Sequence, residues 1–105
     1  MKINMMSIVT GMVSEYWKMV DHIDDAEDFQ TAKQLGERAY GFLTAISTMT
    51  NEMICTENND FTADMSELED NMAASLYDMM VSVAIKFGDN NKAFEYAKRR
   101  DEYRQ

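Results

Sequence analysis

Not one proline interrupts these 105 residues, and only four glycines do. Proline breaks helices and punctuates loops, so a chain without it is free to run as long helices joined by short connections. Length sets the next bound. A chain of this size holds one domain, because a second core could not be built from what remained. Apolar residues make up 46% of the chain, enough for a packed core and too many for a disordered segment. The expected fold class is all-α: a small bundle of about four helices, arranged as two helical hairpins with the second helix longest. It is expected to span residues 1–105 as a single helical domain.

Hydrophobic period places the helices. Met5, Val9, Val13, Tyr16, Val20 and Ile23 recur at steps of three and four, one face of a helix from about Met5 to His22. A second helix is expected to continue to about Ile54. Asp24 or Asp25 would cap it, with Glu27 and Asp28 in its first turn at the positive end of the helix dipole. Its inner stripe is Phe29, Ala32, Gly36, Ala39, Leu43, Ile46, Thr50 and Met53, widened by Leu35, Phe42 and Met49. Gly36 costs a helix about 1 kcal/mol against alanine, so a glycine there predicts close approach of another helix.

Glu57 to Asp64 reads as a loop. Ser66 with Glu69 three residues on forms a capping-box pattern, which predicts the start of helix three there. Its apolar set is Leu68, Met72, Leu76, Met79, Met80, Val83 and Phe87, closed by Gly88 as a left-handed C-cap. Asp89 or Asn90 then caps a short fourth helix, with Lys98, Arg99, Arg100 and Arg104 at its C-terminal end. Ser14-x-Tyr16-x-x-Met19-Val20 matches Ser75-x-Tyr77-x-x-Met80-Val81, and Phe29-x-x-Ala32-Lys33 matches Phe94-x-x-Ala97-Lys98. A duplicated hairpin and chance similarity both account for these matches.

Chemistry is sparse. His22 is the only histidine, and no Glu-x-x-His or His-x-x-x-His spacing exists, so a di-iron or zinc centre lacks its ligands. The acidic run from Asp21 to Asp28 lacks the central glycine of a calcium loop. No metal or other cofactor is expected. Cys55 has no intramolecular disulfide partner, which fits a reducing compartment. The opening Met1 to Met6 is too short and mixed for a secretory signal. With no apolar run long enough for a membrane span, the expected location is cytoplasmic. The eleven methionines read as adaptable core filling, the alternative being an exposed methionine face for varied partners.

Residues 67–104 resemble the last two helices of MazG-type nucleotide pyrophosphohydrolases in Tyr77, Gly88, Ala93 and Lys98-Arg99-Arg100. That resemblance implies magnesium-dependent hydrolysis of nucleotides. The positions where the metal-binding carboxylates would fall hold Met72 and Ser75, and the upstream paired-glutamate motif is absent, so no enzyme is expected. Gly88-Asp89-x-x-Lys92-Ala93 is similar to the turn of a tetratricopeptide repeat, but the residues that should follow are out of phase by one.

Charge is the most informative feature. Residues 1–85 carry 15 acidic and 4 basic side chains, a net of −11, whereas residues 86–105 carry a net of +2. An acidic chain repels nucleic acid, so direct nucleic-acid binding is not expected, and a protein partner with a basic surface is. A surface that only keeps the protein soluble is the plainer account of the same charge. The expected contact residues are Asp21, Asp24, Asp25, Glu27 and Asp28, together with Glu67, Glu69 and Asp70. Small size, acidity and missing catalytic residues are similar in kind to phage-encoded inhibitors of host defence, such as anti-CRISPR proteins and other DNA mimics. Two alternatives stand beside that reading: a structural or assembly subunit whose methionine-rich faces bind sister chains, and a degenerate MazG-like scaffold. Wide apolar faces on helices two and three, with exposed-looking Tyr16, Trp17, Tyr40, Tyr96 and Tyr103, also predict a homodimer.

Overall fold

A computed structural model of the chain describes residues 5–56 and 60–104, and the side chains of residues 7–51 and 65–104. Four helices account for almost all of it: α1 (Met5–Ile23), α2 (Phe29–Thr56), α3 (Asp60–Lys86) and α4 (Asn90–Tyr103). At 28 residues α2 is the longest, with α3 at 27. The all-α bundle of two hairpins is therefore the fold.

Cross-helix contacts give the directions. Thr50 meets Glu69 and Phe29 stacks on Phe87, so α2 and α3 are antiparallel. Tyr16 reaches the carbonyl of Met72 while Val9 packs with Met65, so α1 and α3 run parallel. Helix α3 touches all three others, whereas α4 packs mainly on α3 and reaches α2 through Tyr103 and Tyr40. This central position explains why α3 buries Ala73, Ala74, Tyr77 and Ala84 as well as Met72, Leu76, Met80 and Val83. The expected set of Leu68, Met72, Leu76, Met79, Met80, Val83 and Phe87 is buried or half-buried, and further sides of the helix are covered as well. Its wide apolar surface is used inside the monomer.

The stripes on α1 and α2 are where period placed them. Val9, Tyr16, Val20 and Ile23 are buried on α1, as are Ala32, Gly36, Ala39, Leu43, Ile46 and Thr50 on α2. Leu35, Phe42 and Met49 are half-buried and widen that face. An ideal Cβ on Gly36 would lie 2.7 Å from Met80 Sδ, so the glycine marks the close approach of α3. Every methionine with a described side chain is buried or half-buried, the interior use of this residue type. Met5, Met53 and Cys55 lie outside the described side chains, and Glu57 to Asn59 lie outside the described residues.

Several boundaries differ from expectation. Helix α2 is capped by Asp28, whose carboxylate accepts the Thr31 N–H at 2.7 Å, and not by Asp24 or Asp25. Those two sit in the turn, held by backbone bonds from Asp25 to His22 and from Ala26 to Ile23. Helix α3 begins at Asp60, so Ser66 lies inside it and the supposed capping box does not cap. Glu69 instead accepts the Thr50 hydroxyl at 2.8 Å, satisfying the one buried polar side chain among the described residues of α2. Tyr16, placed on the inner stripe by its period and also counted among the exposed-looking aromatics, is fully buried, and its hydroxyl donates to the Met72 carbonyl at 2.7 Å. Burial pushes that hydroxyl's pKa far above its ordinary value.

The second hairpin turns as its sequence predicts. Gly88 has φ +82°, the Asp89 N–H reaches the Ala84 carbonyl, and the Gly88 N–H reaches that of Ile85. This pair of bonds closes the exposed end of α3, and a left-handed backbone there costs any residue with a Cβ about 1–2 kcal/mol. Asp89 then caps α4 by accepting the Lys92 N–H at 3.0 Å. The residues matched between the hairpins occupy different settings. Tyr16 donates to a core carbonyl while Tyr77 stacks on tyrosines of α4, and Phe29 is half-buried where Phe94 is exposed.

Candidate functional site

The turn from α1 to α2 makes an acidic corner. Helix α1 delivers Asp21 in its last turn, the turn itself carries Asp24, Asp25 and Glu27, and Asp28 opens α2. All five are exposed. Ala26 is buried among them, which pins the turn to the core and splays the carboxylates outward. Among the described residues, cationic neighbours are few. His22 Nδ1 lies 3.5 Å from the Asp25 carboxylate, and Lys86 Nζ donates to the Asp24 backbone carbonyl at 3.1 Å, leaving the Asp24 carboxylate free of an ion pair.

One of the five is also structural. The hydrogen bond from the Thr31 N–H holds the Asp28 carboxyl below the usual carboxylate range. A depressed folded-state pKa means that the cap stabilises the protein above the ordinary carboxylate pKa. That contribution is lost as pH falls through the lower, folded-state value. Asp28→Asn caps without titrating. Thermal melts of wild type and Asp28→Asn should therefore differ by a constant amount near neutral pH, and the wild type should lose ground on acidification. Parallel curves into acid would contradict the assignment.

The second acidic group is elsewhere. Glu67, Glu69 and Asp70 lie on the first half of α3, about 25 Å along the helix from Lys86 and the corner beside it, at 1.5 Å per residue. Glu67 and Asp70 are exposed, but Glu69 is half-buried and engaged by Thr50. The eight carboxylates expected as contacts therefore form two patches, with Glu69 committed to internal structure. The α4 cations are largely spent within the hairpin: Arg100 Nη1 donates to Asp78 at 2.9 Å, Arg104 grips the other oxygen of Asp78, and Lys92 pairs with Glu95 at 3.1 Å.

A groove that sequence reasoning missed runs between α2 and α4. Because α4 rests mainly on α3, a space of about 610 Å³ opens beside α2, floored by Gly36, Leu76, Tyr77 and Met80. Four tyrosines line it and its continuation. Tyr77 stacks against Tyr96 at 6.3 Å and Tyr103 at 5.9 Å, with Tyr40 beside Tyr103 on the α2 lip. Burial raises the pKa values of Tyr96 and Tyr103, and the Tyr77 hydroxyl beside Arg99 favours the guanidinium cation. Tyr40, Tyr96 and Tyr103 were legible as surplus aromatics. Their convergence was not, since it depends on how α4 crosses α3.

Among the described residues no cluster of three or more His, Cys, Asp or Glu is placed to hold a metal ion. Met72, one of the two positions where the MazG-like resemblance would put metal ligands, is fully buried under Tyr16. No described helix is long and apolar enough to cross a membrane. Neither a known protein family, nor a curated protein, nor a solved structure matches the chain.

Proposed function

We propose that the protein is a non-catalytic binding protein that engages the basic surface of a protein partner through the corner formed by Asp21, Asp24, Asp25, Glu27 and Asp28. The observation that carries this reading is the presentation of five exposed carboxylates within one turn of chain, where Lys86 meets the Asp24 backbone carbonyl and leaves its carboxylate unpaired. Carboxylates gathered on a rigid helical corner resemble a short row of phosphates, and such a field attracts surfaces built for nucleic acid. A small inhibitor of a nucleic-acid-binding host defence protein, of the anti-CRISPR or DNA-mimic kind, is the role this chemistry suits. Glu67 and Asp70 lie too far along α3 to share one small footprint, so they belong to a longer contact or to none. The assembly reading drew on methionine-rich faces. It is less well supported because the described methionines point inward.

The test uses the chain as bait and a neutral version beside it. The neutral version carries Asp21→Asn, Asp24→Asn, Asp25→Asn and Glu27→Gln, with Asp28 kept as the cap of α2. The wild type should recover a basic partner that double-stranded DNA displaces. Removing four charges should weaken binding by about tenfold or more while the helical signal and melting temperature hold. A partner held equally well by the neutral version overturns the proposal.

A further inference from the structure

At one end of the groove between α2 and α4 lies a recess of about 220 Å³, lined by Tyr40, Tyr77, Arg99, Glu102 and Tyr103. It shares Tyr40, Tyr77 and Arg99 with the groove of about 610 Å³, so the two form one continuous space. Hydrogen-bond donors dominate the recess. Each of the three phenols brings an O–H, and the Arg99 guanidinium offers donors only. Two bonds are made within the set: Arg99 donates to the Tyr77 hydroxyl, and the Tyr40 and Tyr103 hydroxyls bond to each other. Each bond uses one donor, so two phenolic O–H groups and most of the guanidinium remain available. Glu102 stands on the rim, exposed to water and acting on Arg99 through space without an ion pair. A surplus of donors beside a fixed cation calls for a group with several lone pairs and a negative charge.

The groove supplies an apolar bed beside those donors. Leu76 and Met80 form its floor, and the Tyr96 ring stacks on Tyr77 along its α4 wall. On the α2 wall, Gly41 leaves open space where a Cβ would stand. The volume is that of a small-molecule site, and ring faces favour a flat occupant. Charge farther along the groove is balanced locally. Lys92 pairs with Glu95, and Lys33 and Glu37 stand one turn apart on α2, outside the recess. The acidic corner is remote: Asp28 lies about 18 Å along α2 from Tyr40, at 1.5 Å per residue. At physiological salt a field falls off over about 8 Å, so the donors in the recess decide which charge binds there.

We infer that the recess and groove together bind a small organic anion with a flat apolar body. Its carboxylate or phosphate head takes hydrogen bonds from Arg99, from the Tyr77 hydroxyl and from the Tyr40–Tyr103 pair. The body lies over Leu76 and Met80, between Gly41 and Tyr96. This site is separate from the acidic corner, so neither reading depends on the other.

Three naphthalene probes substituted at the same ring position test this: naphthyl phosphate, naphthoate and the neutral naphthamide. Each is titrated into the full chain at physiological salt and followed by backbone amide shifts. At least one anion should bind saturably, move the Gly41 and Arg99 amides, and bind about tenfold or more tighter than the amide. The tighter of the two anions identifies the head group. Arg99→Gln should weaken the anions by about tenfold and leave the amide unchanged. Arg99 is exposed, so its helical signal and melting temperature should hold. Lys18→Gln removes an equal charge from the surface of α1 and should change nothing. Anions that bind no tighter than the amide overturn the inference, as do anions insensitive to Arg99→Gln or weakened equally by Lys18→Gln. Shifts centred elsewhere, or absent at millimolar probe, overturn it too.

Discussion

Tyr16→Ala should cost about 3–5 kcal/mol and lower the melting temperature by about 10 °C or more, at roughly 4–8 °C per kcal/mol. Tyr16 sits where α1 crosses α3, fully buried, with Trp17 edge-on at 5.5 Å and the core of Val20, Ile23 and Met72 around it. Truncation removes a whole ring from between two helices that cannot close up without breaking their other contacts. A chain of this length has roughly 5–15 kcal/mol of stability in total, so about a fifth or more would be lost. Tyr16→Phe separates the two roles of the residue. It keeps the ring and removes only the hydroxyl, and the Met72 carbonyl lies within α3, where it can still accept its helical bond. The cost should therefore be at the low end for a buried hydrogen bond, about 0.5–1.5 kcal/mol. Urea denaturation of the three proteins gives both numbers, and a Tyr16→Phe loss as large as that of Tyr16→Ala would show that packing is the lesser part.

The second large effect lies at the closest approach of α2 and α3. A leucine at position 36 would drive its side chain into Met80, whose sulfur already lies 2.7 Å from where a Cβ would stand. Overpacking of this kind costs about 1–3 kcal/mol, reduced by the helix propensity that leucine brings over glycine. Met80→Ala alone should cost about 2–5 kcal/mol through the cavity it leaves. The two changes together exchange volume across one contact, large for small on one helix and small for large on the other. The double variant should then be more stable than the sum of the singles allows, by about 1–3 kcal/mol. Strict additivity in a double-mutant cycle would mean that Gly36 and Met80 do not share the space the geometry gives them.

Much of this architecture was legible in residue spacing, and the misses have physical reasons. Helices α1 and α2 each press one face inward, so a period of three and four residues marks their buried sets almost completely. Helix α3 is covered by three neighbours, and besides its apolar set it buries Ala73, Ala74, Tyr77 and Ala84, small or ambivalent residues that declare no side. Ser66 and Glu69 carry the chemistry of a cap, yet a cap pattern inside a helix is only two polar residues. Glu69 found Thr50 on the neighbouring helix, a partner nineteen residues away. Tyr16 looked available for contact because tyrosine suits surfaces, and the carbonyl that accepts its hydroxyl is fifty-six residues distant. The acidic corner was visible because it is contiguous in sequence. The tyrosine groove was not, because it draws on three helices and comes together only through their packing.

Helix α4 joins the bundle mainly through α3, with Tyr103 reaching Tyr40 of α2, and the consequence is a seam. Its anchors include Ala93, the stacked rings of Tyr77 with Tyr96 and Tyr103, the contact of Tyr103 with Tyr40, and the two arginines clasping Asp78. Those arginine contacts are partly open to water and weaken as salt rises. Since α1, α2 and α3 close most of the core among themselves, the last helix can lift away while they stay folded. Its amides would then trade hydrogen with solvent through a cheaper opening than whole-molecule unfolding.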